Sequence, residues 1–259
     1  MNKKWGVILA VCALFTVLIF AGCHEPASYP ELITPPPPAI ALPPQRRIVG
    51  ASIQRRLIMC LVFGQGPDVT FIMATIHGNE PAGTPLVRRL AEYLQQRPHL
   101  LNGRTVVLLP VANPDGMAHN SRFNANGVDL NRNFATANRL SSGRFGHTAL
   151  SEPEARAIDR LIRQYAPDRI VSIHQPLACI DYDGPAKALA VKMAQYCDLP
   201  IRELGPKPGS LGSYAGLELG IPIITFELLP GDTALGPERL WQRYGKALIA
   251  AIVYPDTVK

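Results

Sequence analysis

His77 and Glu80 stand three residues apart in the stretch TFIMATIHGNEPAG, after an apolar, β-branched run over residues 70–76. An imidazole nitrogen and a carboxylate oxygen are the beginning of a zinc site, and a catalytic site needs one more protein ligand and an open position for water. Alone, the pair is an ordinary pattern of solvated residues. The strand-end pattern recurs, however: RIVSIH ends at His174 and IITFE ends at Glu227. A single His174 would read as a core-edge histidine. With His77 and Glu80 it completes the two-histidine, one-glutamate set that catalytic zinc uses. Glu227 then has the right type and place for a base that takes a proton from water and returns it to a departing amine. By itself it would read as a glutamate paired to an arginine. Among the other histidines, His24 falls in a proline-rich segment and His99 follows a helix beside Pro98. His119 and His147 lie in loops, from which either could line a cleft.

These residues act together only if the elements around them converge. Residues 70–76 read as a buried strand stopped at His77, with Pro81 in the first turn of the next helix. Residues 84–96 put Leu86, Leu90 and Leu94 on one face and Arg88, Arg89 and Glu92 elsewhere, which predicts an amphipathic helix. Residues 48–54 and 56–63 predict two strands around a turn, and 105–110 another strand ending in a turn at 112–116. Residues 117–137 carry neither period and are rich in Asn and Gly; a loop of that length is functional or disordered. Ser151 is the expected N-cap of a helix reaching Tyr165, with Glu154 completing a capping box. A strand at 168–173, a helix at 185–196, a strand at 222–226 and a helix at 236–253 finish the chain. The alternation predicts one α/β domain, a mixed, largely parallel twisted sheet with helices on both faces. In such sheets ligand sites form beyond the carboxyl ends of the strands.

The 259 residues are 47 % hydrophobic, enough for one sizeable core. Formal net charge is +6, or +4 once Lys3 and Lys4 are subtracted as part of a removable leader. The basic residues are scattered, with no Lys/Arg run interleaved with aromatics, which excludes a nucleic-acid partner. Lys3 and Lys4 precede an apolar run over 6–20 that is short for a membrane span. Ala21, Gly22 and Cys23 follow, and the whole resembles the bacterial lipoprotein signal. That resemblance implies a signal peptide at 1–22 and an acylated Cys23 as membrane anchor. Phe20 departs from the leucine usual in that motif; ordinary cleavage or an uncleaved anchor are the alternatives. All three export the domain to the cell envelope, facing the periplasm. Residues 23–45, with prolines at 35–38, 43 and 44, are expected to be an extended tether or a polyproline ligand, and 46–259 the catalytic domain. Of the remaining cysteines, Cys179 and Cys197 could pair in an oxidising compartment or stay as buried thiols, as could Cys60.

The Asn-rich loop holds Arg122 and then GVDLNRNF over 127–134. With HxxE upstream, and a strand-end His and Glu downstream, this resembles the zinc carboxypeptidase family over about residues 48–253. The resemblance implies one zinc ion held by His77, Glu80 and His174, with Glu227 as general base. It implies Arg122 as the group that stabilises the oxyanion of the tetrahedral intermediate, and Asn131 and Arg132 as the grip on the substrate's free terminal carboxylate. Residue chemistry agrees: guanidinium suits bidentate carboxylate binding, and a fixed cation beside the metal stabilises developing charge. Tyr214 is the candidate for the tyrosine that closes over substrate in digestive members, or else a structural aromatic. SIHQPLACIDYDGPA and PGSLGSYAGLELGIPIITFEL resemble the murein peptide amidase A branch. That branch cuts between γ-D-glutamate and meso-diaminopimelate and is usually cytoplasmic, whereas this chain carries an export signal. The expected function is therefore zinc-dependent hydrolysis of C-terminal amide bonds, foremost in murein peptides outside the inner membrane. The alternatives are a broad-specificity metallocarboxypeptidase and a non-catalytic wall-peptide binding module, which would have no need of Glu227. Recognition of the diaminopimelate amine calls for an acid, and Asp181, Asp183 and Glu218 are the candidates near His174 and Glu227.

Overall fold

The computed structural model describes residues 43–255, so the expected signal peptide, Cys23 and all but the end of the tether lie outside the described residues. Eight strands form one sheet: β1 (Gln45–Ala51), β2 (Leu57–Gly64), β3 (Asp68–Ala74), β4 (Arg104–Leu109), β5 (Arg169–His174), β6 (Cys179–Asp183), β7 (Ile201–Arg202) and β8 (Ile223–Glu227). Their spatial order is β1-β2-β4-β3-β5-β8-β6-β7. The central β4, β3, β5 and β8 are mutually parallel, while β1 with β2, β2 with β4, and β6 with β8 run antiparallel. The pairing of β1 with β2 starts at Gln45, opposite Val62.

The central strands are apolar on both sides because both sides are covered. Along β3, Ile72 and Ala74 face one layer while Phe71 and Met73 face the other. The first layer contains α1 (Gly83–Gln95), which follows β3. The short α2 (Pro114–Ala118) comes after β4, and α3 (Pro153–Tyr165) forms the second layer. The helices α4 (Lys187–Ala194) and α5 (Pro237–Val253) join α1. Leu86, Leu90 and Leu94 of α1 are fully buried at helical spacing, each contributing roughly 1.5–3 kcal/mol. Among the described residues no helix is long and apolar enough to cross a membrane.

Two local expectations are corrected. The strand predicted to reach residue 76 stops at Ala74, because Thr75 takes a left-handed φ of +56°. For a β-branched residue that conformation costs on the order of 1–3 kcal/mol. It is held by the Thr75–Thr84 hydroxyl hydrogen bond at 2.8 Å and by Asn113 N–H donating to the Thr75 carbonyl at 2.9 Å. His77 therefore sits in a turn beyond the strand, and Pro81 precedes α1 instead of opening it. Ser151 does not cap α3. Glu152 occupies the N-cap position, Pro153 the first helical one, and no side chain closes the cap. Glu154 is instead fully buried and accepts from Asn124 Nδ2 at 3.1 Å, so it braces the Asn-rich loop. In addition, β6 and β7 were not expected: β6 carries Asp181 and Asp183 in a run of five residues, and β7 has only two.

Candidate metal and peptide site

Connection order reverses between β3 and β5: β3 leads to β4 on one side, and the chain returns to place β5 on the other. A cleft opens there, beyond the carboxyl ends of the strands. The turn after β3 supplies His77 and Glu80, the last residue of β5 is His174, and the last of β8 is Glu227, in register with His174. All four side chains are buried and line one cleft with Arg122, Asn131 and Arg132.

His77, Glu80 and His174 offer ligand atoms within 4.8 Å of one another. His77 Nδ1 lies 2.8 Å from Glu80 Oε1, and His174 Nδ1 lies 3.0 Å from Glu80 Oε2. The far nitrogen of each ring is already engaged. His77 Nε2 meets Asp129 Oδ1 at 3.2 Å, and His174 Nε2 meets Ser172 Oγ at 3.0 Å. Ser172 can do this because residues two apart in a strand share a face. Both rings are thereby turned so that Nδ1 faces Glu80, the arrangement by which outer partners orient metal ligands. His77 Nδ1 is buried and, despite its short distance to Glu80, is not aligned for a hydrogen bond. An imidazole nitrogen and a carboxylate oxygen that converge without hydrogen-bond alignment fit a common cation, and two imidazoles with one carboxylate are a donor set suited to zinc. Burial would raise the Glu80 carboxyl, but His174 and His77 beside it hold it well below the usual carboxylate range.

Asp129 ties this centre to the rest of the cleft. Its Oδ1 also accepts from Asn131 N–H at 3.0 Å, and its Oδ2 accepts from Arg122 Nε at 3.0 Å. Burial pushes the Asp129 carboxyl up, but His77 and then Arg122 bring it down to about 2. Arg122 also reaches Glu80 Oε1 at 3.3 Å, so its guanidinium stands directly beside the ligand set. Asn131 Oδ1 accepts from Leu211 N–H at 2.8 Å. Glu227 accepts from Leu177 N–H at 3.2 Å; burial raises its carboxyl, and the nearby His174 offsets only part of that. Gln175, absent from the sequence reading, locks the ligand turn to β5, its N–H donating to Glu80 Oε2 at 3.2 Å and its Oε1 accepting from Ala82 N–H at 3.2 Å. Its position immediately after His174 was the only available signal.

Other candidates fall elsewhere. Tyr214 does not reach the cleft: it is buried, stacks on Phe134 at 5.6 Å, and bonds through its hydroxyl to Asp159 and Arg163 on α3. The structural alternative for this residue is the correct one. Glu218 also lies outside the cleft lining, its carboxylate accepting from Ala137 N–H at 2.7 Å. His119 pairs with Gln54 at 3.1 Å on the surface, and neither it nor His147 lines the cleft. Cys60, Cys179 and Cys197 are free buried thiols, so no Cys179–Cys197 bridge forms. Asp181 and Asp183 do line the cleft.

Comparison with known proteins agrees with this geometry. A family model described as zinc carboxypeptidase matches residues 44–188. Murein peptide amidase A of Escherichia coli is 37 % identical over 177 residues, 61 % of this chain and 70 % of that protein. The crystal structure of a murein-tripeptide amidase from Escherichia coli O157 superposes with a TM-score of 0.68 at 30 % identity, covering 82 % of this chain and 92 % of its own. Carboxypeptidase A of Helicoverpa armigera shares the fold, with a TM-score of 0.68 at 22 % identity over 83 % of this chain and 70 % of that one.

Proposed function

The chain belongs to the zinc carboxypeptidase family, and on that premise we propose that it is a zinc-dependent amidase of cell-wall peptides, cutting between γ-D-glutamate and diaminopimelate in stems whose terminal carboxylate is free. One observation carries the reading: the His77, Glu80 and His174 ligand set shares a cleft with Glu227, Arg122, Asn131 and Arg132. Likeness to two murein amidases supports the choice of substrate. His77, Glu80 and His174 would hold the zinc ion, which would supply Lewis acidity for the hydrolysis.

The chain's own residues do the rest. Glu227, raised by burial, is suited to take a proton from water and pass it to the leaving amine. Arg122, fixed by Asp129 and Glu80, places donors where the oxyanion develops, and because it is held in advance no reorganisation is needed during reaction. Arg132 offers the planar fork that matches a carboxylate. Asn131, whose Oδ1 is occupied by Leu211, has its amide N–H left to donate to the same carboxylate. A free terminal carboxylate is thus a condition of binding.

The test compares a γ-D-glutamyl–diaminopimelate tripeptide with α-linked peptides carrying a free carboxyl terminus. The γ-linked peptide is expected to be cut at the higher kcat/KM. Preference for α-linked peptides would replace this reading with a broad-specificity carboxypeptidase. Lys3, Lys4, the apolar run at 6–20 and Ala21-Gly22-Cys23 support an envelope address with Cys23 acylated. Cys23→Ala is then expected to move the protein out of the membrane fraction, and retention there would exclude the lipid anchor.

A further inference from the structure

Beyond Arg132 the cleft holds charged groups that hydrolysis does not use. Asp181 and Asp183 stand two apart on β6, so both carboxylates face the cleft while Ile180 and Tyr182 turn into the α1, α4 and α5 layer. Lys207 lines the same cleft and acts on both carboxylates through space. Its loop is pinned to the segment that carries Asn131 and Arg132, with Phe134 N–H donating to Gly209 O at 3.1 Å and Leu211 N–H to Asn131. The charged groups therefore adjoin the place assigned to the terminal residue's carboxylate.

The two aspartates differ in condition. Asp181 Oδ1 accepts from Leu204 N–H at 2.8 Å. Asp183 is 6 % exposed and its Oδ1 has no hydrogen-bond partner. Its side chain lies against Gly212 and Gly216, where an added Cβ would come within 2.0 Å of Oδ2 and 2.8 Å of the Asp183 Cβ. A side chain at Gly212 would displace the carboxylate, and one at Gly216 would displace the Asp183 Cβ and backbone. Burial, with Asp181 next to it, pushes the Asp183 carboxyl up to about 6. A buried carboxylate without a partner on a cleft wall is a group that an incoming cation completes.

We propose that Asp183 and Lys207 form a zwitterion subsite, Asp183 taking an ammonium and Lys207 a carboxylate at the far end of the substrate's terminal residue. This rests on the hydrolase reading above. Diaminopimelate carries that pair of groups, lysine the ammonium alone, and norleucine neither. A distal amine that has been acylated, as in a cross-linked stem, has no charge to offer Asp183, so uncross-linked stems are the substrates.

The test uses the full-length zinc-loaded protein and three γ-D-glutamyl tripeptides ending in meso-diaminopimelate, lysine or norleucine. Wild type is expected to rank them in that order by kcat/KM. Asp183→Asn should lower the lysine-to-norleucine ratio by roughly tenfold to hundredfold, through KM. Lys207→Met should lower the diaminopimelate-to-lysine ratio by roughly tenfold, again through KM. Each is a ratio within one variant, so general loss of fold or metal cancels. An unchanged ratio in Asp183→Asn, or the same shift from Asp181→Asn, overturns the assignment. Wild type that cuts all three equally refutes the subsite and keeps the hydrolase. Wild type that cuts none of them refutes the hydrolase reading, and the subsite with it.

Discussion

Replacing Asp129 by asparagine should loosen zinc without touching any ligand. Asp129 presents two acceptor oxygens to donors on either side: Oδ1 to His77 Nε2 at 3.2 Å and to Asn131 N–H, Oδ2 to Arg122 Nε at 3.0 Å. An asparagine of the same shape has one acceptor, so its NH₂ must oppose either the histidine or the arginine. Asp129 is 4 % exposed, and solvent does little to weaken these contacts. Losing one charge-assisted hydrogen bond costs about 1.5–3 kcal/mol. Falling on His77, that is a loss of roughly tenfold to hundredfold in metal affinity, the usual size of an outer-partner effect. Falling on Arg122, it lowers kcat by a similar factor and spares the metal. Competition against a chromophoric chelator reads the first outcome, and steady-state kinetics at saturating zinc reads the second. If affinity and kcat both stay within about twofold of wild type, Asp129 does not organise the centre and the reasoning is wrong.

Other expectations follow from the same geometry. Glu227→Gln should keep zinc by metal analysis and lose about 10²–10⁴ in kcat; bound metal with undiminished turnover would remove Glu227 as the base. Arg132→Gln should raise KM by roughly tenfold to hundredfold for peptides with a free terminal carboxylate, and should matter little for the already poor amidated analogue. Gly78→Ala would put a Cβ 1.9 Å from the Gly116 carbonyl carbon, so the turn between His77 and Glu80 must shift; zinc content and thermal melting should both fall. Asp183 binds its proton near pH 6, higher than an exposed aspartate, and the neutral form does not attract an ammonium. KM for the diaminopimelate peptide should therefore rise as pH falls through about 6, a limb that the norleucine peptide should lack.

Much of the centre was legible because each ligand follows a strand whose apolar run is unmistakable. RIVSIH and IITFE gave His174 and Glu227 their places as strand ends, and the structure puts them there. His77 came out on the correct rim for a partly incorrect reason: apolar Ile76 extended the run, while the chain leaves the sheet at Thr75 through a left-handed φ that no periodicity announces. Ser151 and Glu154 have the spacing of a capping box, but Glu154 is drawn into the core by Asn124, a contact thirty residues away in the chain. Tyr214 was ambiguous because burial decides between a lid and a core aromatic, and burial depends on Asp159 and Phe134. β6 was missed for a physical reason too. Ile180-Asp181-Tyr182-Asp183 does alternate as a half-buried strand does, but the run is only five residues long and carries two aspartates, a residue depleted in strands.

The central claim is that one metal centre hydrolyses a stem-peptide amide. Its most direct test is mass spectrometry of purified muropeptides after incubation with the enzyme, with a chelator, and with chelator followed by zinc. Release of diaminopimelate from uncross-linked tripeptide stems, abolished by chelator and restored by zinc, is the predicted result. Stems left intact by zinc-loaded enzyme, or cut equally well in the presence of chelator, would contradict it.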